Sequence, residues 1–469
     1  MTDEPRQDRW HLLVLLCLPT MSILLSTNAP MTALAAIAKT FPDTSNLAVW
    51  VLLSYTITAA SLSMLAGDLG DRYGLRRLYS FGLAIFLLGS LGASLADRSE
   101  LLVLSRIVSG AGSAILAPVA LAFLNRLFSG SEKPIAFGFW SASVTIGVVI
   151  GPMLGGWMQT LGSWRLIFPA AALPAVIALI MLHRLPTFLP DQTPAPMDVK
   201  GITGLAVLPF LTLFTVTEIG NLQLGTIVAL LLLIVSTSVW TWRHLVRCPY
   251  PAIPIGRLYN AIWWRPSLLQ LIIRCIFIAM LTLLTTYFHN LEGESEYLAA
   301  KALIPFCLAV GVASLSSGLM CKVLGARTVL IIVFVLAILG LSSLLSLTVS
   351  GFRLQDWIAI IAIGLLVGNT AQLSRLSMSS FSPSESMRGA ALNTMIINLG
   401  ISLGAALPSL CRSLFSSNAG LGQELNATQL VQVLHADIMI LLLLSALGVW
   451  QVLRLSKDQG ASSPATANP

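Results

Sequence analysis

The sequence predicts an all-α membrane protein of fourteen transmembrane helices, ordered as six, two and six along the chain. Three observations lead there. Hydrophobic residues make up 56% of the 469 and charged residues only 10%, with a mean hydropathy of +0.84. A soluble domain carries roughly 25% charged residues, so this chain cannot cover a water-facing surface. Apolar runs of roughly 20 residues, the length that crosses a hydrocarbon core of about 30 Å, recur from end to end. Backbone groups in lipid must be satisfied within their own segment, which makes these runs helices. The third observation is a motif in the first part of the chain that returns in the second at a fixed offset.

In chain order, spans are expected near 11–38, 46–66, 78–97, 101–127, 135–160 and 165–184, forming an N-terminal half over 1–184. Arg6 and Arg9 precede the first run, and Ala33-Leu34-Ala35 has the look of a cleavage site. The run far exceeds the roughly 7–15 residues of a signal-peptide core, so it reads as a retained span. A polar, Pro-containing connector (Pro186 to Lys200) leads to two spans near 201–219 and 224–243, then to a second connector, CPYPAIPIGRLYNAIWWRP. These make up the inserted region 185–265. Spans near 266–288, 297–320, 327–349, 355–376, 387–411 and 434–454 form a C-terminal half over 266–454, and the tail 455–469 is polar and expected to be disordered.

Charge sets the orientation. With both termini cytoplasmic, roughly nineteen Lys and Arg fall inside, six outside and two within spans, the asymmetry of a positive-inside topology. The net charge of +7 belongs to those loops and gives no reason to expect nucleic acid. The six cysteines (Cys17, Cys248, Cys275, Cys307, Cys321, Cys411) are scattered through apolar stretches without a CxxC pair, which argues against a disulfide framework or a zinc site. His289 and His435 lie near membrane boundaries without the cluster that a metal needs. No GxxxxGK[ST], HExxH or GxSxG occurs, so no ATPase, metalloprotease or hydrolase chemistry is expected, and no cofactor. Energy must come from protons, the membrane potential or the substrate's own gradient.

The densest knot of charge is GDLGDRYGLRR, on the loop between spans two and three. Gly67 and Gly74 permit close helix approach and a tight turn. Asp71 is suited to the positive end of a helix dipole, with Arg72 and Arg76 as its pairing partners. GLMCKVLGAR keeps the frame: Gly318, Gly325 and Arg327 follow Gly67, Gly74 and Arg76 by 251 residues, with Lys322 in place of Asp71. Ser129, Ser131, Glu132, Gly147 and Gly151 recur as Ser382, Ser384, Glu385, Gly400 and Gly404 at an offset of 253. Two echoes at nearly one offset imply a duplicated six-span unit, and paired six-span halves are a transporter architecture with substrate bound between them near the midplane.

Within the spans, Arg106 stands out: an arginine this deep costs about 2.5–3.5 kcal/mol on insertion scales and faces a bundle interior or watery cavity. In span five, Gly147, Gly151, Gly155 and Gly156 let helices pack backbone to backbone, while Pro152 removes a hydrogen bond and permits a kink. Ser22 and Ser26 share a helix face. With Asn28, Tyr55, Asn369, Gln372, Asn393, Asn398 and the second embedded cation Arg274, Ser26 is a candidate to line a substrate cavity. Each of these residues also fits an interhelical hydrogen bond. Two buried arginines favour a neutral, zwitterionic or anionic substrate. Glu292, Glu294 and Glu296 make an acidic outer loop.

Taken together, these stretches resemble the major facilitator superfamily. GDLGDRYGLRR is similar to its signature loop, Arg106 to its fourth-span arginine motif, and Gly147-x-x-x-Gly151-Pro152-x-x-Gly155-Gly156 to its antiporter motif. Trp164-Arg165 with Phe168 resembles the W-R-x-x-F signature of drug exporters. The inserted pair followed by Pro254-Ile255-Gly256-Arg257-Leu258 resembles the fourteen-spanner drug/proton antiporter branch. The resemblance implies the major facilitator fold, a cytoplasmic gate at Gly67, Asp71, Arg72, Gly74 and Arg76, and a role for Arg106 in proton transfer. It implies export of a small organic molecule by alternating access with proton antiport, by a monomer in a bacterial inner membrane. The chain departs from its relatives at Leu25-Ser26-Thr27-Asn28, where Ser26 stands in place of a span-one aspartate. No acid is expected near any midplane: Glu218 is placed near the outer end of span seven, Asp437 at the outer edge of span fourteen and Asp68 at the cytoplasmic edge of span two. Arg106 and Glu218 are therefore the coupling candidates. An uncoupled exporter of a dedicated metabolite, such as a siderophore or antibiotic, and a non-transporting receptor on the same fold stay open.

Overall fold

The computed structural model describes residues 8–42, 47–130, 132–188, 196–218, 222–253, 256, 260–290, 303–347, 352–381, 385–416 and 427–455. Among them there are helices and no strand. The first part holds α1 (Asp8–Asn28), α2 (Leu34–Thr40), α3 (Leu47–Tyr73), α4 (Leu75–Leu95), α5 (Ser99–Leu127), α6 (Glu132–Thr160) and α7 (Ile167–Ile180). The inserted pair is α8 (Val199–Glu218) and α9 (Leu224–Arg247). Then follow α10 (Ala261–Asn290), α11 (Ile304–Leu324), α12 (Ala326–Leu344), α13 (Leu354–Gly368), α14 (Thr370–Met378), α15 (Ser386–Ser416) and α16 (Ala427–Leu453). Among the described residues eleven stretches are long and apolar enough to cross a membrane, and Trp164–Ile180 and Val199–Thr215 are shorter apolar helices.

Four features differ from those expected. The second span does not stop at 66: α3 continues through Gly67–Tyr73, so the first half of GDLGDRYGLRR is helix and not loop, and Gly74 ends it. The first span is not one helix: Pro30 lacks the N–H that would continue α1, and Ala29–Ala33 tightens into a 3-10 turn before α2. The twelfth breaks at Asn369, whose Nδ2 donates to the Leu365 carbonyl at 2.8 Å between α13 and α14. The last span begins at Ala427 rather than 434, because polar Thr428, Gln429 and Gln432 belong to the helix. Asp437 is therefore not at an edge. It is the ninth residue of the apolar stretch Gln429–Leu453, about 12 Å in at 1.5 Å per residue.

The repeat is visible in the backbone. Gly74 ends α3 and opens α4 with φ 82° and ψ 147°; Gly325 does the same between α11 and α12 with φ 80° and ψ 145°. A positive φ costs glycine little and other residues much, so both copies of the motif need glycine for the same turn.

The chain divides into two compact units that do not follow chain order. The first comprises Met1–Leu127, Ser143–Gly256 and Phe381–Leu399. In it α5 packs against α3 and α4, α1 against α7, and α8 against α3. Its core includes Ala29, Ala33, Val51, Ala93, Leu102, Trp164 and Phe168. α9 is the peripheral member, with only 6% of its apolar stretch buried and Leu231, Leu232 and Val235 facing outward, as lipid contact requires. The second unit comprises Phe128–Ala142, Arg257–Ser380 and Gly400–Pro469. There α13 packs against α11 and α12, α16 against α12 and α10, and α14 against α10.

Candidate functional site

In the first unit, α5 carries Arg106 into a fully buried position between α1 and α3. Its Nε donates to the Val51 carbonyl at 2.8 Å and Nη1 to Ser26 Oγ at 3.0 Å. The guanidinium carbon lies 4.4 Å from the Tyr55 ring centre and 5.7 Å from that of Phe168. Neutral acceptors and ring faces thus hold the charge, and Nη2 has no acceptor among the described residues. The close approach that makes this possible comes from glycine: a Cβ at Gly110 would stand 2.6 Å from the Tyr55 carbonyl oxygen. Arg106, Ser26 and Tyr55, singled out separately in the sequence, are one cluster.

The glycines of α6 build the wall beside it. Gly147, Gly151 and Gly155 lie one turn apart along α1 and the 3-10 turn, where an added Cβ would meet Leu24 and Met21, Asn28, or the Ala29 carbonyl and Thr32 respectively. Thr32 reaches the Pro152 carbonyl at 3.5 Å, and Gln159 Nε2 donates to the Thr32 carbonyl at 2.7 Å. Gly156 is half-buried on the adjoining face. Asn28 turns back to the Leu24 carbonyl at 2.7 Å, and Ser22 accepts the Ala175 N–H at 2.9 Å. Trp164 bonds Thr40, Arg165 donates to the Ala96 carbonyl, and Phe168 stacks edge-on against Trp164. The W-R-x-x-F box therefore ties α2 to the end of α4 and extends one ring to Arg106.

Among the described residues the ion pairs of the motif centre on Asp68. Arg72 donates Nε to Asp68 Oδ2 at 2.6 Å, and Arg388, on α15, stands 3.5 Å from Asp68 Oδ1. Asp68 is one turn before Arg72 on α3, the ideal spacing for a helical pair; the Asp71 side chain lies outside the described residues. Gly67 lets α15 approach so closely that a Cβ there would stand 2.8 Å from that of Ala391. Arg126 adds a 2.8 Å bond to Ser386 on the same helix. Gly74 forms the turn, and Arg76 is half-buried beyond it.

The second motif copy makes the matching contact in the second unit. Gly318 on α11 lies against Pro134 at the start of α6, 2.8 Å from its carbonyl oxygen. Gln372 donates to that carbonyl and to Ser317, both at 3.2 Å, and accepts from Arg375 Nε at 3.1 Å. Arg274 is buried on α10 against Gly400, and Asn369 Oδ1 is buried without a donor among the described residues. These three candidates belong to the second unit, whereas Asn393 and Asn398 belong to the first. The side chain of Glu218, the outer-loop glutamates and most of 254–258 fall outside the described residues.

One grouping escaped the sequence reading. Asp198, at the start of α8, accepts His244 Nε2 at 2.6 Å, the Gly201 N–H at 2.9 Å and the Ala252 N–H at 3.0 Å. Burial opposes ionisation of this carboxyl, but the His244 bond and the two N–H groups outweigh it and hold its pKa below the ordinary value. With Cys248, the three residues place ligand atoms within 4.8 Å of one another. The direct His244–Asp198 contact leaves no space for an ion between them, so the arrangement serves as a clasp joining α8, α9 and the second connector.

The comparisons agree with this architecture. The chain is 23% identical to the MFS-type transporter YvkA of Bacillus subtilis over 96% of its own length and 97% of the relative's. It is 26% identical to the multidrug efflux pump LfrA of Mycolicibacterium smegmatis, over 88% and 84%. To the drug efflux pump JefA of Mycobacterium tuberculosis it is 26% identical over 63% of this chain and 59% of that one. The solved structure of the proton:xylose symporter XylE superposes with a TM-score of 0.69 at 13% identity over 97% of both chains. The human organic anion transporter MFSD10 does so with 0.66 at 14%, over 96% of this chain and all of that one. The sequence model of the Major Facilitator Superfamily matches residues 16–405, and the chain belongs to that superfamily of membrane transporters.

Proposed function

We propose that this chain exports a small organic molecule across a bacterial cytoplasmic membrane by alternating access, driven by proton antiport. The observation that carries the reading is the joint presence, in one unit, of buried Arg106 bound to α1 and a glycine stripe on α6 that seals the same helix. Relatives of similar length and lower-coverage relatives alike are named as drug efflux pumps. The full topology is fourteen spans with both termini cytoplasmic, built as halves over 1–184 and 266–454 around the inserted pair. Asp68, Arg72 and Arg388, with Gly67, Gly74, Asp71 and Arg76, act as the cytoplasmic gate. Their ion pairs hold one state and part in the other. Arg106, Ser26 and Tyr55 are the substrate-binding candidates of the first unit, and Arg274, Asn369 and Gln372 those of the second, each taken by itself. The spare Nη2 donor of Arg106 suits a carbonyl or anionic oxygen.

Serine in place of an acid at position 26 supports a second reading, export without protons. Efflux from proteoliposomes of a panel of dyes, antibiotics and metallophores, with and without an imposed pH gradient, separates the two. Flux that rises with the gradient and fails in Arg106→Ala supports antiport. Flux indifferent to pH refutes it.

A further inference from the structure

Proton antiport needs a group inside the membrane that changes charge, and position 26 offers none. The second unit holds one. Asp437 on α16 is 1% exposed, and neither carboxylate oxygen has a hydrogen-bond partner among the described residues. Val433, Leu434, Ile438 and Leu441 around it on the same helix are buried apolar side chains. A carboxylate kept for architecture is held by cations or N–H donors, as Asp68 and Asp198 are. An unpaired buried charge costs several kcal/mol, and a polar group left unsatisfied costs about 1–3 kcal/mol. Among the described residues nothing compensates that cost at Asp437.

We infer that Asp437 is the proton-carrying residue of this transporter, an inference that rests on the antiport reading. Its depth suits the task. In the proposed orientation it lies about 12 Å below the outer end of its span and about 6 Å from the middle, at 1.5 Å per residue. Among the described residues no charged group pairs with it. The Cys411 thiol of α15 lies beside it as a weak donor without forming a regular hydrogen bond. His435, on its own helix, points to the Leu347 carbonyl at 3.0 Å. Arg327 of α12 and Arg265 of α10 hold the carbonyls of Leu453 and Arg454 at the far end of the helix. That register places Arg274 of α10 about 12 Å further toward the cytoplasmic end. A proton taken up by the carboxylate from outside forms the neutral acid, and its release to the cytoplasm restores the anion, so one proton enters for each cycle.

The test uses the full chain in proteoliposomes, as wild type, Asp437→Asn and Asp437→Glu, with the zwitterionic antibiotic norfloxacin as the probe. Two modes are read: transport driven by a pH gradient, and norfloxacin exchange at equal pH. The expected result is that Asp437→Asn loses gradient-driven transport by about tenfold or more while keeping exchange within about twofold, and that Asp437→Glu restores driven transport with a shifted pH midpoint. Driven transport intact in Asp437→Asn overturns this inference alone. Wild type that exchanges norfloxacin but ignores the gradient overturns the antiport reading and this inference with it. The infrared band of a protonated carboxyl, followed against pH in purified protein without substrate, decides the matter should norfloxacin not be carried. A titrating band lost in Asp437→Asn supports the assignment, and a band the variant leaves unchanged overturns it. If the asparagine variant does not fold, an unmoved midpoint or band in Asp437→Glu overturns it as well.

Discussion

Gly155→Ala is the sharpest probe of the seal between α6 and α1. The added methyl would run into the Ala29 carbonyl oxygen and Thr32 Oγ1, both much closer than van der Waals contact. The first obstacle is backbone and cannot rotate away, so the 3-10 turn Ala29–Ala33 must move. Overpacking of this kind costs about 1–3 kcal/mol. Moving the turn also strains the 2.7 Å bond from Gln159 to the Thr32 carbonyl and the 3.1 Å bond from Thr32 to Ala29, worth about 1 kcal/mol each. The expected loss is about 2–4 kcal/mol, read as a lower melting temperature in detergent and as a leak of protons through reconstituted liposomes. Gly225→Ala is the control. Nothing lies within 4 Å of its Cβ position on α9, so the substitution should stabilise by up to about 1 kcal/mol through helix propensity alone. Equal melting temperatures for Gly155→Ala and wild type, with tight liposomes, would refute the packing argument.

Arg106→Lys keeps the charge but not the planar fork that serves Val51 and Ser26 together; norfloxacin flux should fall about tenfold at unchanged expression. Asp68→Asn removes the negative charge that pairs with Arg72 and Arg388 and leaves one acceptor oxygen for the two of them. A pair of this exposure is worth about 1 kcal/mol, so thiol labelling of a cysteine introduced at Met387, buried in the wild type, should rise about fivefold. Asp198→Asn should loosen the α8–α9 clasp. Since the folded carboxyl titrates below its usual range, its contribution is present above the unfolded value of about 3.9 and is lost as pH falls through the lower folded value. The melting difference from wild type should thus hold between about pH 8 and 5 and vanish only in strong acid.

The spans and the repeat were legible because each has a one-dimensional signature, an apolar run or a fixed offset. Arg106 was legible because a deep cation has few places to go. Partners were not. Asp68 and Asp71 lie three apart on one helix, and which of them meets α15 depends on a packing that no spacing encodes. Asp198 and His244 are 46 residues apart and join only once α8 and α9 lie side by side. Asp437 was misplaced for a more instructive reason. Hydropathy ended the span where polar Thr428, Gln429 and Gln432 began, yet a helix can continue through residues that its neighbours or headgroups satisfy. Ionisable groups near a span's end are therefore easily read as shallower than they are.

The duplicated docking contacts differ in that only one copy of the motif carries the acid and its basic partners. Offsets of 251 and 253 carry Asp68 onto Leu319, Arg72 onto Val323 and Arg388 onto Ile135. The acid and both of its basic partners have been exchanged for apolar residues together, while Gly67 and Gly318 keep the close approach in both places. A lone change would have left a charge without a partner, which costs more than losing the whole group. The outcome is two contacts of the same shape and different chemistry. One is ionic, through Asp68, Arg72 and Arg388; the other is held by backbone proximity and the Gln372 bonds. The glycine frame fixes the shape of both contacts and leaves their chemistry free to differ.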